Sequence, residues 1–558
     1  MYQFLFKIIF LQIIIQIIKV ECKYYDTFSE IEIVGTKFFN TSNGDQFFLK
    51  GIAYQSQRSE KELHNSNLTF ETNYIDPLAE TDICLRDIPY LVELGINTIR
   101  VYSIDPSKDH DICMEKLMDV GIYVILDLSE PDVSIIRDNP TWDISLFERY
   151  RAVIDSMHKY PNVLGFFAGN EVTNDKNTTT ASSFVKAAIR DCKKYIADNN
   201  YRKIPVGYSS NDDIDTRDNI AEYFICGETM ADFYGINMYE WCGYSSYKTS
   251  GYEERTEYFE NYPIPIFFSE FGCNIDRPRP FTEVDELFSE PMTNVWSGGL
   301  AYMYFEEENN YGVVKITDDS RKVIKLPDFE NLKKHYNDVK PSKLSRDVYS
   351  ENVKTNDGKK TFKCPKISKN WLASHVLPPE PSRDNCECLN ELPCILIEND
   401  TNFPYENYFE YLCNKTDCFD IQNTPEKGVF GNFSFCSNQQ KLSLIVSQIY
   451  FEKKVKSNQC TLANEGFIYN KNYNAKHGRN DKCGNIISTI KLGVSRRISD
   501  SVSSNANFKI KHDIDNKILS DSNKELSEIP RENTSSRTKV ETIRKLAFII
   551  VSVLYLCF

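Results

Sequence analysis

Eight short apolar runs, separated by longer amphipathic segments, constrain this chain more than any other feature. They occupy residues 47–54, 98–104, 123–129, 163–171, 204–210, 232–241, 264–272 and 298–306. The intervening segments 82–94, 111–120, 146–159 and 181–198 repeat their apolar residues with a helical period. Strand-like runs alternating with helices predict a parallel sheet with both faces covered. Eight such repeats predict an α/β fold, a closed (β/α)8 TIM barrel.

The fourth run, Val163-Leu164-Gly165-Phe166-Phe167-Ala168-Gly169-Asn170-Glu171, is apolar until it ends in an amide and a carboxylate. The seventh, Ile264-Pro265-Ile266-Phe267-Phe268-Ser269-Glu270, repeats the arrangement. A single Glu at a strand end is commonly a cap or one half of an ion pair. Two, each closing a near-continuous hydrophobic strand, suggest a carboxylate pair. Such a pair suits cleavage of a glycosidic bond, in which one carboxyl protonates the leaving oxygen and the other attacks the anomeric carbon; other acid/base reactions could also use it. Active sites of barrels of this kind lie at the C-terminal ends of the strands, so both carboxylates fall on the working face. Gln55, Tyr102, Asp127, Asn170, Tyr239 and Tyr302 sit at or near the ends of other runs. They form a rim able to hydrogen-bond hydroxyls and stack on sugar rings, although Tyr102 and Tyr302 also suit barrel packing.

The two ends of the chain read as targeting segments. Lys7 precedes an apolar stretch over 8–18, the length of a signal-peptide core, and 1–22 is read as a signal peptide, with an uncleaved anchor as the competing reading. The last residues, 546–558, are apolar to the end, behind a polar spacer over 536–545 and the small residues around Asn533. This is the layout of a GPI-anchor signal attached at Asn533, with 534–558 removed. A tail-anchored helix competes but falls short of the roughly 20 residues a bilayer requires. Without Cys22 and Cys557, the 17 cysteines leave an odd number, and Cys192 is the candidate for the unpaired one. That density belongs to an oxidising compartment, where Asn40, Asn67, Asn177, Asn399, Asn414 and Asn432 would be glycosylation acceptors. The expected location is the extracellular face of the plasma membrane and the cell wall. A net charge of −15 makes nucleic acid an unlikely partner. The seven histidines are scattered, so neither a metal nor any other cofactor is expected.

The segments Asp105 to Asp111, Phe166 to Asn174 (FFAGNEVTN), Tyr234 to Cys242 (YGINMYEWC), Phe267 to Cys273 (FFSEFGC), Arg277 to Val284 (RPRPFTEV) and Val295 to Glu308 (VWSGGLAYMYFEEE) strongly resemble the fungal cell-wall β-1,3-glucanosyltransferases, glycoside hydrolase family 72. The resemblance runs from about Ile31 to Phe329. It implies a retaining, glycolipid-anchored transglycosylase that cuts β-1,3-glucan internally and joins the new reducing end to the non-reducing end of another chain. By position Glu171 is implied as the general acid/base and Glu270 as the nucleophile, with carboxyls about 5 to 5.5 Å apart. Asn170 is implied to contact the sugar 2-hydroxyl and Tyr239 to sit beside Glu270. Gln55, Tyr102, Asp127 and Tyr302 are implied to line donor and acceptor subsites. The family also implies the disulfides Cys84–Cys113, Cys242–Cys273 and Cys226–Cys364. A hydrolase using the same site, and a non-catalytic glucan-binding wall protein, are the competing functional readings; the intact carboxylates argue against the second.

After the catalytic domain, taken as 23–340, a polar, proline-bearing stretch reads as a linker over 341–385, strapped to the barrel through Cys364. Eight cysteines then crowd into 386–491, a disulfide-built module. Its segments Asp417-Cys418-Phe419-Asp420-Ile421 and Phe433-Ser434-Phe435-Cys436-Ser437 resemble the cysteine-rich glucan-binding module, carbohydrate-binding module family 43. The implied pairs are Cys386–Cys436, Cys388–Cys483, Cys394–Cys460 and Cys413–Cys418. The pattern departs at Thr461-Leu462-Ala463-Asn464, which leaves the module's glucan affinity open. Residues 492–533 are rich in Ser, Asn, Lys and Asp and read as a disordered stalk.

Overall fold

The computed structural model describes residues 28–58, 74–131, 133–317, 322–355, 362–397, 403–453, 460, 467–473 and 483–493. The expected signal peptide and anchor signal, and the expected stalk except residues 492–493, lie outside them, as do Asn67, Asn399 and Asn533. The described chain contains a closed eight-stranded parallel barrel. Its strands are β1 (Leu49–Ala53), β2 (Thr98–Val101), β3 (Tyr123–Asp127), β4 (Val163–Asn170), β5 (Val206–Ser210), β6 (Tyr234–Met238), β7 (Ile266–Phe271) and β8 (Trp296–Ala301). Seven of the eight expected runs contain one of them, and the eighth, 298–306, overlaps β8, which begins two residues earlier.

A helix follows every strand: α1 (Thr81–Leu94), α2 (Asp111–Asp119), α3 (Ile144–Met157), α4 (Ser182–Asp198), α5 (Arg217–Ile225), α6 (Tyr252–Phe259), α7 (Glu283–Leu287) and α8 (Pro327–Asp338). The Asp143 carboxylate caps α3 by accepting from Leu146 N at 3.0 Å, satisfying one of the amides a helix start leaves unpaired. The helices pack their apolar stripes on the outer face of the strands in one continuous core.

The barrel interior is layered. At its N-terminal end Leu49, Ile125, Leu164, Phe167, Phe233, Phe267 and Leu300 meet Ile31 and Phe38 of a small antiparallel sheet that closes the bottom. Phe167, Phe233 and Phe267 pack with centroids 5.2 to 6.0 Å apart. Glycines on neighbouring strands make room for this layer. A Cβ at Gly207 would come within 2.4 Å of the Phe233 ring, and one at Gly235 within 2.6 Å of Ser269 Oγ. Above the aromatic layer the interior turns polar, which places the chemistry at the C-terminal end.

The segment expected as a linker is packed rather than loose. Trp371 is fully buried in the main core, Tyr223 donates to Ser374 O at 2.6 Å, and Leu372 N donates to Thr179 Oγ1 at 2.9 Å. A helix, Arg346–Thr355, begins where Arg346 pairs with Glu32 at 2.8 Å. The polar composition hid one buried tryptophan; the strap through Cys364 is present as expected.

Cys84–Cys113, Cys226–Cys364, Cys242–Cys273, Cys386–Cys436, Cys394–Cys460 and Cys413–Cys418 are disulfide-bonded, and Cys192 is free and buried. Cys226–Cys364 spans a sequence separation of 138 residues. On the chain-entropy model a cross-link closing so long a loop stabilises by about 5 kcal/mol, and measured values run lower. A Cys226→Ser/Cys364→Ser double variant is therefore expected to lose about 2–5 kcal/mol, read as a fall in the urea midpoint, with a steeper slope because the unfolded chain is no longer cross-linked.

The cysteine-rich region continues the first of two compact units, which comprises 1–449 and 458–477. Here strand Cys394–Leu396 pairs with Phe467–Tyr469 and lies against helix Asn438–Glu452. Ser443 and Ser447, one helical turn apart, receive the amides of Leu396 and Cys394 at 2.9 and 3.1 Å, which explains two hydroxyls in an apolar interface. Cys388 in this unit is disulfide-bonded. The second unit comprises 450–457 and the chain from 478; its described helix over 483–493 starts at Cys483, also disulfide-bonded. Among the expected glycosylation acceptors, Asn177, Asn414 and Asn432 are exposed, whereas Asn40 is half-buried and uses its side-chain oxygen to hold the turn at Ser42 and Asn43. Among the described residues no helix is long and apolar enough to cross a membrane.

Candidate active site

Glu171 directly follows β4 and Glu270 lies one residue from the end of β7. Both open into one cavity of about 220 Å³ at the C-terminal face of the barrel. Strand register assembles the surroundings: Asn170 is paired with Ser209, and Asn237 with Glu270.

Glu270 is almost completely enclosed. Its Oε1 accepts from Tyr102 OH at 2.8 Å and from Arg100 Nη1 at 3.2 Å; its Oε2 accepts from Tyr239 OH at 2.8 Å. Burial pushes its carboxyl up to about 6, against the pull of Arg100 and the two phenols, and the Glu171 charge adds to the rise. Burial and the Glu270 charge also raise both phenols well above their usual range, so Tyr102 and Tyr239 remain protonated donors.

Glu171 is set differently. Its backbone is left-handed, φ 48°, an uncommon conformation for a non-glycine residue that costs of order 1 kcal/mol. Its amide donates to Ser209 O at 2.9 Å and its carbonyl accepts from Arg137 Nη2 at 3.0 Å, and these bonds hold the turn. Asn237 Nδ2 donates to Glu171 Oε1 at 2.8 Å, while Oε2 has no hydrogen-bond partner among the described residues. Half-exposed, with one free oxygen, Glu171 can hand a proton to a group in the cavity; Glu270, held by three donors, is placed to attack.

Below the carboxylates is a network the sequence reading did not identify. Arg100, inward-facing on β2 and fully buried, grips Asp127 through Nε and Nη2 at 3.1 and 3.0 Å, and its guanidinium lies 4.3 Å above the Phe167 ring and 4.4 Å from that of Tyr102. Ser209 donates to Asn170 Oδ1 at 2.7 Å and Ser269 donates to Asn237 Oδ1 at 2.9 Å. These hydroxyls orient the two amides, so that Asn237 turns its NH2 toward Glu171. A charged residue inside a four-residue apolar strand was the available signal for Arg100, because a buried charge requires a partner.

Of the expected rim, Tyr102, Asn170 and Tyr302 line the cavity, and Tyr239 reaches it through Glu270. One placement needs correction. Asp127 does not face the cavity; it lies beneath, 3% exposed, as the carboxylate partner of Arg100. Gln55 borders the cavity, but its oxygen accepts from Tyr102 N and Ser103 N at 3.1 and 2.9 Å, and its nitrogen donates to Ile75 O at 2.6 Å. It therefore ties loops together, and Gln57, exposed two residues on, is the amide left open to a ligand. Tyr74, Asn237 and Glu307 also line the cavity and were not anticipated. A larger cavity of about 610 Å³ lies between the first turn of α3 and the cysteine-rich region, but two of its carboxylates are already engaged, Asp143 as the cap of α3 and Glu148 in the pair with Arg383. Among the described residues no group of three or more His, Cys, Asp or Glu could hold a metal ion.

Comparison with known proteins fits this geometry. The glucanosyltransferase family model, glycoside hydrolase family 72, matches residues 20–340. The chain belongs to this family. An X8 domain model matches residues 392–467. The chain is 58% identical to 1,3-beta-glucanosyltransferase GAS2 of Saccharomyces cerevisiae over 79% of its own length and 80% of that protein. It is 46% identical to pH-responsive protein 1 of Candida albicans, over 80% and 82%. A ligand-free structure of a Glu-to-Gln mutant of S. cerevisiae Gas2p superposes with a TM-score of 0.73 at 54% identity, covering 84% of this chain and 97% of that one. Gas2p with laminaripentaose superposes with a TM-score of 0.72 at 56% identity, covering 80% and 99%.

If Glu270 is the nucleophile it must be ionised, so kcat/KM is expected to fall about tenfold per pH unit below about 6. Tyr102→Phe removes a donor that favours the charged form, so the midpoint of that limb should move upward, by about one unit. A pH–rate profile of both proteins reads the shift directly.

Proposed function

We propose that this chain is a retaining β-1,3-glucanosyltransferase. The observation that carries the reading is the carboxylate pair in one cavity, Glu270 held by three donors and Glu171 left with a free oxygen. Relatives named as 1,3-beta-glucanosyltransferases, and a relative solved with laminaripentaose, support a β-1,3-glucan substrate.

In the first half-reaction Glu270 attacks the anomeric carbon while Glu171 protonates the glycosidic oxygen. The C1–O bond breaks and the reducing-end fragment leaves as an alcohol, with the retained chain esterified to Glu270. In the second, the 3-hydroxyl at the non-reducing end of another chain gives its proton to Glu171 and attacks C1, releasing Glu270 and forming a new β-1,3 bond. The Asn170 amide nitrogen has no protein partner among the described residues and is available to the sugar 2-hydroxyl. Tyr102 and Tyr239 keep the nucleophile oriented and ionised at neutral pH, Gln57, Tyr74 and Tyr302 supply binding surface, and no cofactor takes part.

The protein acts at the outer face of the plasma membrane and in the cell wall. It carries a GPI anchor at Asn533. This arrangement rests on the leader, the cysteine density and the apolar tail of the sequence.

The test is incubation of residues 23–490, secreted from a eukaryotic host, with a β-1,3-gluco-oligosaccharide reduced at its reducing end, and mass spectrometry of the products. Products longer than the starting sugar are expected. Only shorter ones would make the enzyme a hydrolase, and none from a folded protein would favour a structural wall component.

A further inference from the structure

Glu306, Glu307 and Glu308 form an acidic run just after β8, of the kind that usually marks a solvated loop. The three carboxylates have different environments. Glu306 pairs with Arg277 at 2.8 Å, and Glu308 is exposed. Glu307 lies in the wall of the catalytic cavity, half-buried, and its carboxylate makes no hydrogen bond among the described residues. A carboxylate taken partly out of water without a partner is held at a cost, and such groups concentrate where a ligand supplies the missing bonds.

The loop that carries Glu307 is fixed on both sides. Asn310 N donates to Glu307 O at 3.0 Å, Asn274 Nδ2 donates to Asn309 O at 2.9 Å, and Arg279 donates to Tyr302 O and Tyr311 O. Glu307 is thus presented by a rigid support. Tyr302 lines the cavity together with both Glu270 and Glu307, and both charges act on its phenol. Burial lifts the Glu307 carboxyl to about 7, the response of a group that has lost water and gained no donor. With Gln57 and Tyr74, Glu307 forms a polar wall of the same cavity.

We propose that Glu307 is a substrate-binding residue that accepts hydrogen bonds from hydroxyls of the glucan chain and determines how tightly the chain is held, without taking part in bond cleavage. The inference rests on the glucanosyltransferase reading of the site. Sugar hydroxyls are neutral donors in a fixed array; they stabilise the ionised form of a carboxyl that burial has raised, and the resulting carboxylate on a rigid loop forms stronger bonds to them than an amide does. Because Glu307 belongs to no carboxylate pair bracketing the scissile bond, its bonds are the same in the ground state and the transition state, so their loss raises KM and leaves kcat.

The experiment compares Glu307→Ala, Glu307→Gln and the control Glu308→Gln in the transfer assay with reduced β-1,3-gluco-oligosaccharides, with thermal melting as the check on folding. Binding of the same sugars is measured calorimetrically in a Glu171→Gln background, where turnover does not interfere. Glu307→Ala is expected to raise KM, and Kd in the background variant, about 10- to 100-fold while kcat stays within about threefold. Glu307→Gln should fall between, and Glu308→Gln should match the parent. Should Glu307→Ala fail to fold, the isosteric Gln variant decides. Unchanged KM and Kd in a folded, active variant would overturn the inference, as would a collapse of kcat at constant KM, which would place Glu307 in the chemical step. Absence of glucan transfer by the parent itself would instead remove the reading on which the inference rests.

Discussion

Replacing Glu270 with alanine is expected to lower glucan transfer by at least about 10⁴-fold and to make the residual reaction dependent on an added small anion. The side chain fills a closed site between Arg100, Tyr102 and Tyr239, so its removal leaves an anion-sized space lined by three donors. Azide entering that space attacks the anomeric carbon from the nucleophile's face, and because no second displacement follows, the product is the α-glycosyl azide. Glu171→Ala leaves the nucleophile in place and removes the proton. It should lose activity to a similar degree on glucan, whose leaving oxygen must be protonated, and retain glycosylation of Glu270 by an aryl glycoside whose leaving group needs no proton. Azide then displaces Glu270 from the opposite face and gives the β-glycosyl azide. Proton NMR of the anomeric product distinguishes the two. A β-azide from Glu270→Ala, or near-normal transfer by either variant, would refute the assignment of roles.

How much of this was legible in the sequence differs between layers of the molecule. The barrel was legible because its strands are buried on both sides and read as continuous apolar runs, and because four of the intervening helices carry clear periodicity. Glu171 and Glu270 stood out because each ends such a run. Asp127 looked equivalent, as the polar end of β3, but strand-end position does not say which way a side chain faces; the structure turns it under the cavity toward Arg100. Gln55 and Gln57 are separated by one residue, and only the hydrogen bonds to Tyr102, Ser103 and Ile75 reveal which amide is already engaged. Asn237 and Ser269 occupy strand interiors, where a small polar residue reads as tolerated packing until the hydrogen bond between them is seen. In the segment before the module the strap through Cys364 was legible, but prolines and charges dominate the composition and conceal that Trp371 is buried in the main core.

Arg100→Met is expected to cost stability and activity together, because Arg100 is the only cation bonded to either Asp127 or Glu270 among the described residues. The guanidinium is fully buried and its charged form is strongly favoured by Asp127, Tyr102 and Glu270 around it, although burial alone would oppose it. Removing one partner of a buried ion pair leaves an uncompensated charge and typically costs about 3–5 kcal/mol. In this barrel the loss should fall mainly on Asp127, whose two oxygens are both bonded to Arg100. Glu270 is affected by the same change with a definite sign. Its carboxyl is already raised to about 6 from an ordinary value of 4.5, so the folded state binds its proton more tightly than the unfolded chain does. Stability from this group is present at low pH and is lost as pH rises through that window, by about 2 kcal/mol in all. Without Arg100 the folded value climbs further, so the variant should be most destabilised near neutrality and recover on acidification. The acid limb of its residual activity should move upward with it. Urea unfolding at pH 5 and pH 7.5 tests the sign. A variant that is equally destabilised at both values, with an unshifted activity profile, would show that Arg100 supports the barrel without tuning the nucleophile. Pairing Arg100→Met with Asp127→Leu should restore stability in part but not activity, since it removes the stranded carboxylate and leaves Glu270 without its cation.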